Sequence, residues 1–112
     1  MSKAKRLSRL EDRRVELEAE YLEALIAALQ ATAAGQWGLF DHNQDKHIRA
    51  AAAPMVDNLC DLGEAINEIR DQLDMEPFAL HKEFETSRGP VASHAVGEPK
   101  QARAWLDRLK QA

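Results

Sequence analysis

The stretch IRAAAAPMVDNLCDLGEAINEIRDQL, residues 48–73, carries the reading on which the fold rests. Within it Ile48, Ala52, Met55, Leu59, Leu62, Ile66, Ile69 and Leu73 follow one another at alternating spacings of 4 and 3 residues. That alternation lies close to the α-helical period and keeps one aliphatic seam turned toward a neighbouring helix, as in a coiled coil. No charged residue interrupts the seam, and the spacing predicts a helix over about 42–74. Pro54 lies inside it, where its ring removes one backbone donor and collides with the carbonyl of Ala50. The seam keeps its phase across Pro54, so a kink near that residue is expected rather than a helix end.

A seam needs a partner, and the residues before it supply one. Over about 5–34, Val15, Leu22, Leu25, Ile26 and Leu29 form an apolar stripe, with Leu10, Leu17 and Tyr21 beside it. Glu16, Glu18, Glu20 and Glu23 hold the wetter side, and Gly35 is a natural helix stop. Two helices of about 30 residues are each roughly 45 Å long. A compact chain of this length is only roughly 34 Å across. The expectation is therefore an all-α protein built on a long antiparallel helical hairpin. After the hairpin, Asp74 to Glu76 reads as a bend. A short helix follows over about 77–88, with Phe78, Leu80 and Phe84 apolar, then a linker over 89–97. A last helix over about 99–111 carries Ala102, Trp105, Leu106 and Leu109 on one face. The flanks of the hairpin, with apolar Val56 and Cys60, exceed what two short helices cover. A homodimer completing a four-helix core is the economical solution.

Composition agrees. The chain has 112 residues, enough for one domain. It is rich in Ala, Leu, Glu, Arg and Lys and poor in β-branched and aromatic residues. The net charge of −4 argues against nucleic acid or an anionic membrane as the general partner. Residues 1–14 run against that balance, with Lys3, Lys5, Arg6, Arg9, Arg13 and Arg14. A basic arm of this kind can bind phosphate backbones, although a solvated terminus, frayed over 1–6, is the simpler expectation. One cysteine, Cys60, excludes an intrachain disulfide and fits a reducing compartment, the cytoplasm. No apolar run approaches the ~20 residues that span a bilayer.

The residues with chemistry gather in GQWGLFDHNQDKH, residues 35–47. Asp41, His42, Asp45 and His47 are the available metal ligands. A metal needs three or four ligands converging on one point, and a single helix face offers two of these at most. The structural reading accounts for more of the stretch. Asp41 with Gln44 suits a capping box, while Trp37 and Phe40 would plug the end of the bundle as a hairpin tip. His81 and Glu85, four apart, suit a hydrogen bond or half a metal site and read as a partly exposed polar pair. Ser93 and His94 are adjacent in the linker, which is poor geometry for a nucleophile and its base. Cys60 has acidic neighbours and reads as a small buried hydrophobe. No Glu-x-x-His, phosphate-loop or paired-cysteine pattern occurs. The sequence thus points to no enzyme and no cofactor. It points to a homo-oligomeric interaction or scaffold module, with an unidentified protein partner conceivable. Its contacts would be Ile48, Met55, Leu59, Leu62, Ile66, Ile69, Leu73 and Trp105. A nucleic-acid regulator using the basic arm, or a metal- or ligand-binding tip, is the alternative.

Overall fold

The computed structural model describes residues 2–35, 39–40, 46–88 and 98–111, with 46–51, 98 and 111 described by backbone alone. Four helices follow in order: α1 (Lys3–Ala33), α2 (Lys46–Gln72), α3 (Ala79–Ser87) and α4 (Glu98–Gln111). No strand occurs among the described residues, so the all-α expectation holds. The molecule measures 52 × 29 × 23 Å, its long axis set by the 31 residues of α1.

Helix α1 is the spine, packing against both α2 and α4. Its start is defined by Ser2, whose hydroxyl accepts from the Lys5 amide at 3.2 Å and satisfies one of the free donors of the first turn. Its end is defined by Gly35 at φ +82°, whose amide donates to the Thr32 carbonyl at 2.9 Å. Glycine enters that left-handed region without the clash a side chain would bring.

Helix α2 runs unbroken through Pro54, which is exposed. Its seam is used inside the chain. Ala52, Leu59 and Ile66 are buried, and Met55, Leu62 and Ile69 pack partly buried against one core with Leu17, Tyr21, Leu25 and Leu29 of α1. The last turn of α2 lies beside the middle of α1, where Arg70 donates to Glu18 Oε2 at 2.8 Å. Glu18 also accepts from Arg14 at 2.9 Å, so one carboxylate serves two guanidinium groups in a half-buried position. The helix closes in a Schellman turn: the Met75 amide donates to the Arg70 carbonyl at 2.8 Å and the Asp74 amide to Asp71 at 3.1 Å. Asp74 takes the left-handed position at φ 56°, a conformation that aspartate tolerates better than bulkier side chains.

The expected short helix begins two residues later than the sequence suggests, at Ala79 rather than Pro77. The reason lies in α2, whose Asn67 Oδ1 accepts from the Phe78 amide at 2.8 Å and supplies a cap from a neighbouring element. Helix α3 contributes His81 and Phe84 to the core. Helix α4 lies on the second half of α1, with Arg103 donating to the Ala33 carbonyl at 3.4 Å. Four helices of a single chain thus surround the core. The end of the bundle is plugged by Leu39 and Phe40, both fully buried, with Phe40 6.1 Å from the ring of Trp105. Arg88 Nε donates to the Leu39 carbonyl at 3.0 Å and stacks over Phe84, tying the tip to the end of α3. The linker 89–97 and the caps expected at Asp41 and Gln44 lie outside the described residues.

Candidate functional site

Two arrangements bear on function, one buried and one on the surface. The buried one is a polar chain between α1 and α3, set against α2. Tyr21 on α1 is fully buried, with its phenol oxygen 2.7 Å from Nδ1 of His81 on α3. His81 Nε2 lies 3.1 Å from Glu85 Oε1, one turn along the same helix. In the neutral ring, Nε2–H donates to the carboxylate, and Nδ1 is left to accept the Tyr21 O–H. Helix α2 offers Gly63 at this point, and a side chain there would overlap the imidazole. The sequence suggested a partly exposed His81–Glu85 pair. Instead His81 is 3% exposed while Glu85 reaches solvent, because the glycine gives the ring a slot to enter.

A phenol, an imidazole and a carboxylate in line resemble the parts of a proton relay, but the environment gives them a structural role. A general base acts on a proton it can reach in a bound substrate, and the Tyr21 hydroxyl has no exposed surface. Burial, followed by the charge near Cys60 and Glu85, pushes the phenol above its ordinary value. The neutral hydrogen-bonded form is therefore the one the fold holds. Cys60, half-buried nearby, is likewise pushed up, chiefly by burial, which disfavours the thiolate that nucleophilic chemistry requires. The polar chain latches α3 to α1 in the presence of α2. Edge-on contacts of Tyr21 with Phe78 and with His81, each with ring centres 5.3 Å apart, complete it.

This latch carries a pH prediction. A phenol whose folded pKa exceeds its unfolded one contributes stability that is complete below the unfolded value of about 10. That contribution is lost as pH rises through the folded value. Tyr21 is the only tyrosine. Its tyrosinate absorbance should therefore stay silent past pH ~10 and emerge together with the loss of helical circular dichroism. An ordinary titration near pH ~10 with the helices intact would contradict the latch.

The surface arrangement is the uncovered face of α1. Three large apolar side chains are exposed among the described residues, and all lie on this helix: Leu7 at 37%, Val15 at 53% and Leu22 at 39%. Further along α1, Ile26 and Gln30 edge an apolar groove with Leu106, Leu109 and Lys110 of α4. The first turns of α1 carry Lys3, Lys5, Arg6 and Arg9, which make no ion pair among the described residues. Arg13 pairs with Glu16, and Arg14 with Glu11 and Glu18. The Arg14 hydrogen bonds hold the Glu11 carboxyl below its ordinary value.

Of the contact residues read from the sequence, Leu59, Ile66 and Trp105 are buried inside the chain. Met55, Leu62, Ile69 and Leu73 are partly covered, and the Ile48 side chain lies outside the described residues. Trp105 anchors α4 internally under the guanidinium of Arg108, 4.7 Å from its ring, and Arg108 in turn pairs with Glu83 of α3. Helix α4 packs on α1, and its described ion pair goes to α3. Phe40 belongs to the core; Trp37, Asp41, His42, Asp45 and the side chain of His47 lie outside the described residues. Among the described residues no three His, Cys, Asp or Glu side chains gather to hold a metal, and no helix is long and apolar enough to cross a membrane. No family model, curated protein or solved structure matches this chain.

Proposed function

We propose that this chain is a protein–protein interaction module without catalysis, working in a reducing compartment such as the cytoplasm and using the bare face of α1 as its contact surface. The observation that carries the reading is the exposure of Leu7, Val15 and Leu22 on one helix, the only large exposed apolar side chains among the described residues. Exposed apolar residues scattered singly are ordinary, whereas three along one strip beside an apolar groove form a patch that favours cover. The polar latch supports the reading by fixing α3 against α1, so that the strip sits on a rigid support and binding orders little.

A photoreactive amino acid at position 22 tests this in the native host, with the same group at exposed Lys100 on α4 as the control. Protein adducts are expected from position 22 and not from position 100. The reading is overturned by equal yields at both positions, or by none at position 22. A second reading, nucleic-acid binding, draws on Lys3, Lys5, Arg6 and Arg9, which make no ion pair among the described residues.

A further inference from the structure

The first four turns of α1 stand outside the core. From Lys3 to Glu16 no residue is buried, and Leu17 is the first that the helix gives to the core. At 1.5 Å per residue this makes a helical arm of about 21 Å. Helix α2 meets α1 with its last turn at Glu18, through Arg70, and ends at Gln72.

Charge on the arm is sorted by face. Lys5, Arg6, Arg9 and Arg13 fall on an arc of about 100° around the helix. Glu11 lies on the opposite side, held by Arg14. Asp12 borders the arc, and Glu16 closes its far end in a pair with Arg13. That pair is 59% and 67% exposed, so it contributes little and exchanges readily for another anion.

We propose that this arc binds the phosphate backbone of a nucleic-acid duplex. The proposal rests on the second reading above and names its face, which is separate from the strip of Leu7, Val15 and Leu22. The kind of partner follows from what the arc lacks, since no apolar residue falls among its four cations. Leu7 and Val15 stand about 80–100° beyond its two edges. A protein interface places apolar area at its centre, and a membrane-bound helix sets its cations beside an apolar face. Contact by charge alone suits a phosphate backbone, where release of condensed counterions supplies the affinity.

Two further observations fit. The first turn of α1 holds no acidic residue and sets its cations against the positive end of the helix dipole. Phosphates relieve that repulsion and support an arm that the core does not hold. The net charge of −4 then directs the contact instead of preventing it. Asp57, Asp61, Glu64, Glu68 and Asp71 are all exposed on α2 and repel a duplex from that side, which leaves the arm as the place of approach.

Fluorescence anisotropy of a labelled duplex of about 20 base pairs and arbitrary sequence, titrated with the full chain at about 20–200 mM salt, is the test. Micromolar binding is expected at about 50 mM salt, weakening with a log–log slope of about −3 to −4 as four phosphates are neutralised. Arg6→Gln with Arg9→Gln should reduce that slope by about 2, while Lys100→Gln on α4 should leave it unchanged. All three side chains are exposed, and circular dichroism checks that the helices persist. The proposal is overturned if no binding occurs at about 20 mM salt. It is overturned equally if polyglutamate of matching charge competes as well as unlabelled duplex, or if anionic vesicles do. Binding that Arg6→Gln with Arg9→Gln leaves intact removes the arm and leaves nucleic-acid binding to other residues.

Discussion

Gly63→Ala should destabilise the protein by about 2–4 kcal/mol, with the sign opposite to the usual effect of this change in a helix. Alanine is about 1 kcal/mol the better helix former, so an ordinary interior glycine would reward the exchange. Here the new methyl group meets the His81 ring, and the ring has nowhere to go. It is hydrogen-bonded to Tyr21 through Nδ1, has Nε2 3.1 Å from the Glu85 carboxylate, and lies between Tyr21 and Phe84. Expelling it leaves the buried Tyr21 hydroxyl without its partner, a further cost of about 1–3 kcal/mol. Chemical denaturation of wild type and variant gives the answer, and an unchanged or raised midpoint would mean that the slot is not tight.

His81→Ala should cost a similar amount, about 2–4 kcal/mol, for a different reason: it opens a cavity and orphans the same hydroxyl. The combination is more telling than either change alone. With the ring gone, the methyl group at position 63 has space, and the helix preference for alanine returns. The double variant should therefore be slightly more stable than His81→Ala, by up to about 1 kcal/mol, and far from the sum of the two losses. Additive losses would show that Gly63 and His81 do not share the site.

These two residues also mark where the sequence stopped being legible. The seam of α2 and the stop at Gly35 were readable because each is a local rule of period or backbone conformation, whereas the stripe of α1 was placed off-centre: Leu17 and Tyr21, read as lying beside it, are buried. The number and order of the helices followed from them. The Tyr21–His81 bond joins residues 60 apart in the chain, and no local pattern announces it. A signal existed in retrospect: the only tyrosine falls on a core stripe, where a phenol needs a hydrogen-bond partner, and His81 is one of few residues able to serve. Asn67 capping α3 was hidden for the same reason, which is why the start of that helix was placed at Pro77. Leu59 and Ile66 of the seam, read also as contacts of an interaction module, are buried inside the chain. Phe84 and Trp105 fill space that the length of the hairpin alone made look empty. Val15 and Leu22 were read as part of a core-packing stripe, and the structure leaves both exposed.

The contact of α4 with α1 joins the last helix to the first: Arg103 reaches the Ala33 carbonyl across 70 residues. During synthesis, α1, α2 and α3 emerge with most of their mutual contacts available, whereas Ile26 and Phe40 await residues of α4, made after them. The ribosome therefore presents an open cleft along α1 until Trp105 has been translated and has cleared the exit tunnel. Closure depends on one amphipathic helix whose only anchorage is contact with segments made much earlier, and such distant closures are slow to form. The protein is consequently most exposed to misassociation after α3 has been made and before α4 has, when the apolar line of α1 is at its longest.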